Sequence, residues 1–245
     1  MSPRRTLATS ARVLHQLTHD HRTLGLLFVV PVALLGLLAW VYSSTPKVFD
    51  AVGPALLALF PFVVMFLTTS IATLRERSSG TLERLLILPI GKLDILLGYA
   101  LSFGLLAIVQ AVLATVVTVH VYGLQSAGPE WALVVVALVD ALLGTALGLF
   151  ASAFARTEFQ AVQFMPAFIL PQVLLCGLLV PVEQLPATLQ YVAAVLPLTY
   201  AVDAMQHIAR EATSSSQVLQ DVGVVLGFVL GAILLGAATL RRQTK

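Results

Sequence analysis

Charge is what this sequence has least of. Only 11% of its 245 residues are Asp, Glu, Lys or Arg, while 58% are apolar and mean hydropathy is +0.95. A soluble domain carries about 25% charged residues. So few charges cannot coat a water-facing surface, and so much apolar residue excludes a disordered chain. Cysteine is nearly absent as well. Cys176 alone rules out an intrachain disulfide and a thiolate metal cluster, and its apolar neighbours suit a small packing residue. Neither Gly-x-Ser-x-Gly nor His-Glu-x-x-His occurs, and no apolar run pairs a histidine with a carboxylate. A phosphate-binding loop is missing too. The one Gly-Lys pair, Gly91-Lys92, is followed by Leu93, and Leu86 stands where the first glycine belongs. The chain therefore has no means of hydrolysing ATP by itself.

What the sequence does have is apolar runs. Crossing about 30 Å of hydrocarbon takes roughly 20 residues, and six stretches qualify: 24–42, 53–74, 95–122, 132–154, 164–181 and 222–240. The first is longer than a signal-peptide core and no small-x-small site comes after it, so it is expected to span. Of the Lys and Arg residues, only Lys47 and Arg210 fall outside one side of this layout. The positive-inside rule then places both termini in the cytoplasm, as an even number of spans requires.

The expected fold is an all-α integral membrane protein, one transmembrane domain over 1–245, with six transmembrane helices. Residues 1–23 read as a cytoplasmic interfacial helix: Leu7, Ala11, Leu14, Leu17 and His21 recur at helical spacing, with Arg4, Arg5, Arg12 and Arg22 around them. Residues 182–221 are too short and too broken by Pro186 and Pro197 to cross, which suits a re-entrant helical segment between spans five and six. Ser214-Ser215-Ser216 reads as a flexible turn before the last span.

Inside the spans, Asp140 is the one deep carboxylate. A charge in lipid is expensive, so Asp140 should face protein or water. Gly144 and Gly148 continue its face at a spacing that lets helices approach closely. This favours a hydrogen bond to a neighbouring span, with Gln110 as a candidate partner, over a polar substrate or proton site. Gly223, Gly227 and Gly231 make a similar strip on span six, for which packing is expected. Span two carries Phe60, Phe62, Met65 and Phe66; span five carries Pro166, Phe168, Pro171 and Gln172. His15, His19 and His21 suit titratable groups near lipid phosphates better than a metal site, and His120 and His207 have no evident partner in the sequence.

The most informative stretch is 75–94. Gly80 permits a bend and Thr81 can cap a helix beginning at Leu82. Leu82, Leu85 and Leu86 form one apolar face, with Glu83 and Arg84 off it, and Pro89 and Gly91 stop the helix. Two amphipathic turns between spans need a surface to cover them: the membrane interface, or a groove on a soluble partner. The charge pattern favours the partner.

This stretch resembles the hallmark of the type-2 ABC exporter permeases, including the daunorubicin-resistance-like drug export permeases. That hallmark reads roughly Glu-Arg-x-x-Gly-Thr-Leu-Glu-x-Leu and then a proline. Glu76, Arg77, Gly80, Thr81, Leu82, Glu83, Leu85 and Pro89 match it. Leu185-Pro186 and the run from Leu196 to Asp203 are similar to the family's late external segment. The resemblance implies that 75–94 is a coupling-helix loop seated in a separate ABC ATPase subunit, present in two copies with two permease chains, identical or paralogous. ATP and Mg would sit on the ATPase, and no cofactor, metal, catalytic residue or nucleic-acid partner is implied for this chain. Arg156, Glu158 and Phe159 correspond by position to the family's minor coupling loop, although an ordinary connector is an equal reading. Spans two and five would flank the cavity, which makes Phe60, Met65, Phe66, Phe168 and Gln172 candidates for a substrate pathway. The implied activity is outward movement of a drug, polyketide, lipid or glycolipid across a bacterial inner membrane by ATP-driven alternating access. The alternatives are an intramembrane enzyme or a secondary transporter using Asp140.

Overall fold

A computed structural model describes residues 3–78, 92–155, 157–212 and 216–239. Their regular structure is helical throughout: α1 (Pro3–His19), α2 (His21–Val41), α3 (Pro46–Ser78), α4 (Lys92–Val116, prolonged by a π-turn over Val117–Val121), α5 (Glu130–Ser152), α6 (Glu158–Leu175), α7 (Ala187–Ala193), α8 (Pro197–Arg210) and α9 (Ser216–Thr239). The chain is an all-α integral membrane protein. Helices α2, α3, α4, α5 and α9 are each long and apolar enough to cross a membrane. Helices α7 and α8 meet at 91° and count as a further crossing only if taken as one broken span. They are the proline-separated pair expected between residues 182 and 221.

The fifth span is displaced from its expected position. The sequence places it at 164–181, but α6 runs from Glu158 to Leu175, six residues earlier at both ends. Thr157 Oγ1 accepts a hydrogen bond from Gln160 N at 3.1 Å, so a polar segment caps and starts the helix. Gly177, at φ +87°, lies just beyond its other end. The shift draws Glu158, Gln160 and Gln163 into α6, and α6 is not among the helices apolar enough to cross unaided.

Helices α3 and α5 form the centre. In their most apolar windows 72% and 67% of residues are buried, against 17% for α2 and 28% for α9 at the periphery. The α3–α5 contact depends on two glycines. A Cβ on Gly144 would collide with the Phe62 carbonyl oxygen, and one on Gly148 with that of Phe66. Gly223, Gly227 and Gly231 on α9 differ: a Cβ on any of them would meet nothing within 4 Å. Among the described residues nothing packs closely on that strip.

Gln110 also has a different task from the one expected. Pro31 lies inside α2 and lacks an N–H, which leaves the carbonyl four residues before it, that of Leu27, without its helical donor. Gln110 Nε2 supplies that donor at 3.0 Å. Asp140 is completely buried, and neither of its carboxyl oxygens has a hydrogen-bond partner among the described residues.

Helix α1 buries one end of its apolar stripe, with Leu17 buried and Leu14 half-buried, and leaves the other end open. Thr9, Ser10, Val13 and Leu17 are buried, whereas Leu7 is 61% exposed. Small residues allow α1 to lie close along α4: Thr9 sits over Gly98, and Ser102 Oγ is 2.8 Å from the Ser10 carbonyl oxygen. Leu7 and Ala11 remain outward, where a membrane interface can take them. At the opposite end of the bundle Trp40, Trp131 and Tyr191 are exposed, as aromatic residues are where lipid meets water.

Candidate functional site

The end of α3 holds two sets of ion pairs. Arg12 of α1 grips Glu76 in a two-point pair, Nη1 to Oε1 at 3.2 Å and Nη2 to Oε2 at 3.0 Å. The same guanidinium reaches Gln16 Oε1 at 3.0 Å and Tyr99 Oη of α4 at 3.2 Å. One residue earlier, Arg75 points elsewhere. Its Nε lies 2.8 Å from Glu158 Oε1 and its Nη2 3.1 Å from Glu158 Oε2, at the first residue of α6. Its Nη1 is 3.6 Å from Asp20 Oδ2 in the α1–α2 turn. Asp20 also caps α2, accepting from the Thr23 backbone N–H at 3.2 Å and from the Thr23 hydroxyl at 2.6 Å. Those Thr23 hydrogen bonds, assisted by the Arg75 charge, hold the Asp20 carboxyl below its ordinary pKa. The hydrogen bond from Arg75 does the same for Glu158.

The last turn of α3 is thus tied to α1 and α4 through Glu76, and to α6 and the α1–α2 turn through Arg75. Two polar routes therefore lead from the end of α3 into the bundle. Arg12, Tyr99 and Asp20 were not among the candidate residues. An arginine on an amphipathic helix displays its charge in the sequence, but not a partner 64 residues away.

Among the expected coupling residues, Glu76 takes part in this network. Arg77 lies in the last turn of α3, and its side chain is outside the described residues. Gly80, Thr81, Leu82, Glu83, Leu85, Leu86, Pro89 and Arg156 also lie outside them. Phe159 is 73% exposed beside Glu158. The expected pathway residues divide. Phe66 and Phe168 come together, with ring centroids 6.2 Å apart, and Phe60 is partly buried on α3. Met65 is fully buried in a second cluster with Phe103 and Val13, away from Phe66. Gln172 is an anchor: its Nε2 donates to the Phe168 carbonyl oxygen at 2.9 Å and its Oε1 accepts from Leu198 N at 3.2 Å, capping α8. His120 does have a partner, Glu130 at 3.1 Å, and His207 sits between Asp203 at 3.6 Å and Glu211 at 3.4 Å.

A profile described as "ABC-2 type transporter" matches residues 5–209. The chain belongs to the ABC-2 type transporter family. Several curated proteins are similar to it. One is the "Probable multidrug ABC transporter permease YbhR" of Escherichia coli (strain K12), 29% identical over 64% of this chain and 43% of its own length. Another is the "Linearmycin resistance permease protein LnrN" of Bacillus subtilis (strain 168), 26% identical over 74% of this chain and 47% of its own. A third is the "ABC transporter G family member 20" of Dictyostelium discoideum, 25% identical over 83% of this chain and 28% of its own. The matches therefore take in less than half of each of these ABC-2 relatives.

Proposed function

We propose that this chain is the membrane-spanning permease subunit of an ATP-driven exporter, working as a pair with another permease chain and with two ATPase chains that carry the ATP and Mg. The observation that supports this best is the Arg12–Glu76–Tyr99 tie, because it fixes the first residue of the family-like motif to two neighbouring helices. In this reading residues 79–91 seat in the ATPase. Leu82, Leu85 and Leu86 fill a groove, Gly80 and Thr81 set the turn, Glu83 meets charge at the rim, and Pro89 ends the helix. ATPase closure shifts the end of α3. Glu76 carries that shift to α1 and α4, while Arg75 and Glu158 carry it to α6, beside which Arg156 and Phe159 serve as a second contact. The basic end faces the cytoplasm. The cargo is a hydrophobic or amphipathic compound, a class supported by the multidrug name of the Escherichia coli relative.

The test is co-expression with a candidate Walker-type ATPase from the same source, followed by reconstitution. Leu82→Asp and Glu83→Arg should each cut substrate-stimulated ATP hydrolysis at least tenfold, with membrane insertion intact. Unchanged stimulation in both variants overturns the reading.

Asp140, buried with two unpartnered oxygens, supports a second reading, transport driven through that carboxyl. A well-assembled Asp140→Asn variant that loses transport would favour it. Transport retained within about twofold is expected from the first reading.

A further inference from the structure

A cavity of about 390 Å³ lies between α1, α2, α3 and α4 at the basic end, a size within the range of small-molecule sites. Asp20, Arg75 and Glu76 line the end nearest the helix termini, and Val30, Val64, Leu67 and Phe103 line the part that reaches into the bundle. Leu26, 60% exposed on the peripheral helix α2, also lines it and marks where it opens towards lipid.

The charges in this wall are already engaged. Asp20 lies 3.6 Å from Arg75, Arg75 is also paired with Glu158, and Glu76 is paired with Arg12. Gln16 and Tyr99 accept from Arg12, and the Thr23 hydroxyl donates to Asp20. Thr68 is the one polar side chain of the lining without a hydrogen bond or ion pair among the described residues. It is 8% exposed and lies about two turns deeper than Arg75. Thr118 and Thr145 return their hydroxyls to the carbonyl four residues back, at 2.6 and 3.0 Å, but Thr68 does not. Thr69, Ser70 and Thr73 also lack a partner, yet none of them lines this cavity.

An open hydroxyl in an apolar wall costs free energy that a hydrogen-bonding ligand recovers. The matching group is another hydroxyl, which donates and accepts as threonine does. An ammonium or sulfate at that depth would be a buried charge, with every charge in the lining already paired.

We propose that this cavity binds uncharged apolar alcohols from the adjoining leaflet, with the hydroxyl bonded to Thr68 and the hydrocarbon against Val30, Val64, Leu67 and Phe103. The binding does not rest on the exporter reading.

The experiment uses the full chain alone, in nanodiscs of neutral phosphatidylcholine, with the photoreactive alcohol 3-azioctanol as probe and peptide mass spectrometry to locate the adduct. Labelling should saturate and fall on residues that line the cavity. Competitors are compared at equal concentration in the membrane. 1-Octanol should displace the probe. Nonane, which replaces the hydroxyl by a methyl group, should do so about fivefold more weakly, and octylammonium and octyl sulfate at least tenfold more weakly. Thr68→Val, of the same shape, should weaken labelling about fivefold, and Thr68→Ser should restore it to within about twofold of the parent. Leu26→Trp, which obstructs the opening at an exposed position, should weaken it as well. A thermal unfolding midpoint within a few degrees of the parent confirms folding of each variant. Labelling that does not saturate or falls elsewhere, competition by nonane or octylammonium equal to that of octanol, or Thr68→Val labelled like the parent overturns the proposal. No ATPase is present, so failure here leaves the exporter reading standing, and failure of ATPase coupling leaves this site standing.

Discussion

Helix α5 carries Gly144 and Gly148, and α9 carries Gly223, Gly227 and Gly231, each set at four-residue spacing within neighbouring helices. On α5 the glycines let the α3 backbone come so close that a methyl group would strike a carbonyl oxygen. On α9 the same spacing faces open space. Small residues at i and i+4 permit close approach but do not create it; a facing helix must be there. Helix α5 is central and has α3 against it, while Gly227 and Gly231 of α9 border an open groove beside Leu147 and Phe150 of α5. The two ion-pair routes at the end of α3 show a related contrast. The side chains of Arg12 and Glu76 are 30% and 15% exposed, whereas those of Arg75 and Glu158 are both about half exposed. Equal geometry carries unequal weight when water competes.

Substitutions can break this comparison. The largest effect is expected for Gly144→Val. Its branched side chain meets the Phe62 backbone, which cannot move aside, and should cost about 3 kcal/mol or the folded state altogether, read by unfolding in mixed micelles. Glu76→Gln comes next. Replacing a shielded two-point pair with a neutral amide should cost about 1.5 kcal/mol in the same assay. Glu158→Gln should cost about 0.5 kcal/mol or less, and its effect should fade further in high salt, because the pair is exposed. The smallest effect is expected for Gly227→Ala, within about 0.5 kcal/mol of the parent and on the stabilising side if helix propensity decides. Equal costs for Gly144 and Gly227 replacements would erase the distinction between the two strips.

Much of the fold was legible because lipid imposes so simple a code. Long uncharged runs gave five spans, and prolines marked the bent pair α7–α8. The limits of α6 were not legible, since they come from a Thr157 cap inside a polar segment and from Gly177 rather than from hydropathy. Nor was the role of Gln110. That role depends on a carbonyl freed by Pro31 on another helix, a tertiary fact with no mark beside Gln110 itself. The stripe of α1 included Leu17, which is buried, but gave no sign of Thr9 and Ser10, whose small side chains pack against Gly98 and Ser102. At the candidate site the motif drew attention to Glu76, while its partner Arg12 and the nearby Tyr99 emerged only once the chain was folded.

The central claim, that residues 79–91 seat in an ATPase, has a direct chemical test. Cys176 is buried and is the sole cysteine, so Leu82→Cys adds a single second thiol. Treated with a short bifunctional thiol–amine reagent in the co-expressed complex, that thiol should join the ATPase in a band at the combined mass, and the band should vanish when the ATPase is omitted. A thiol that stays unlinked in an intact complex and reacts only with a lipid-embedded maleimide would contradict the account.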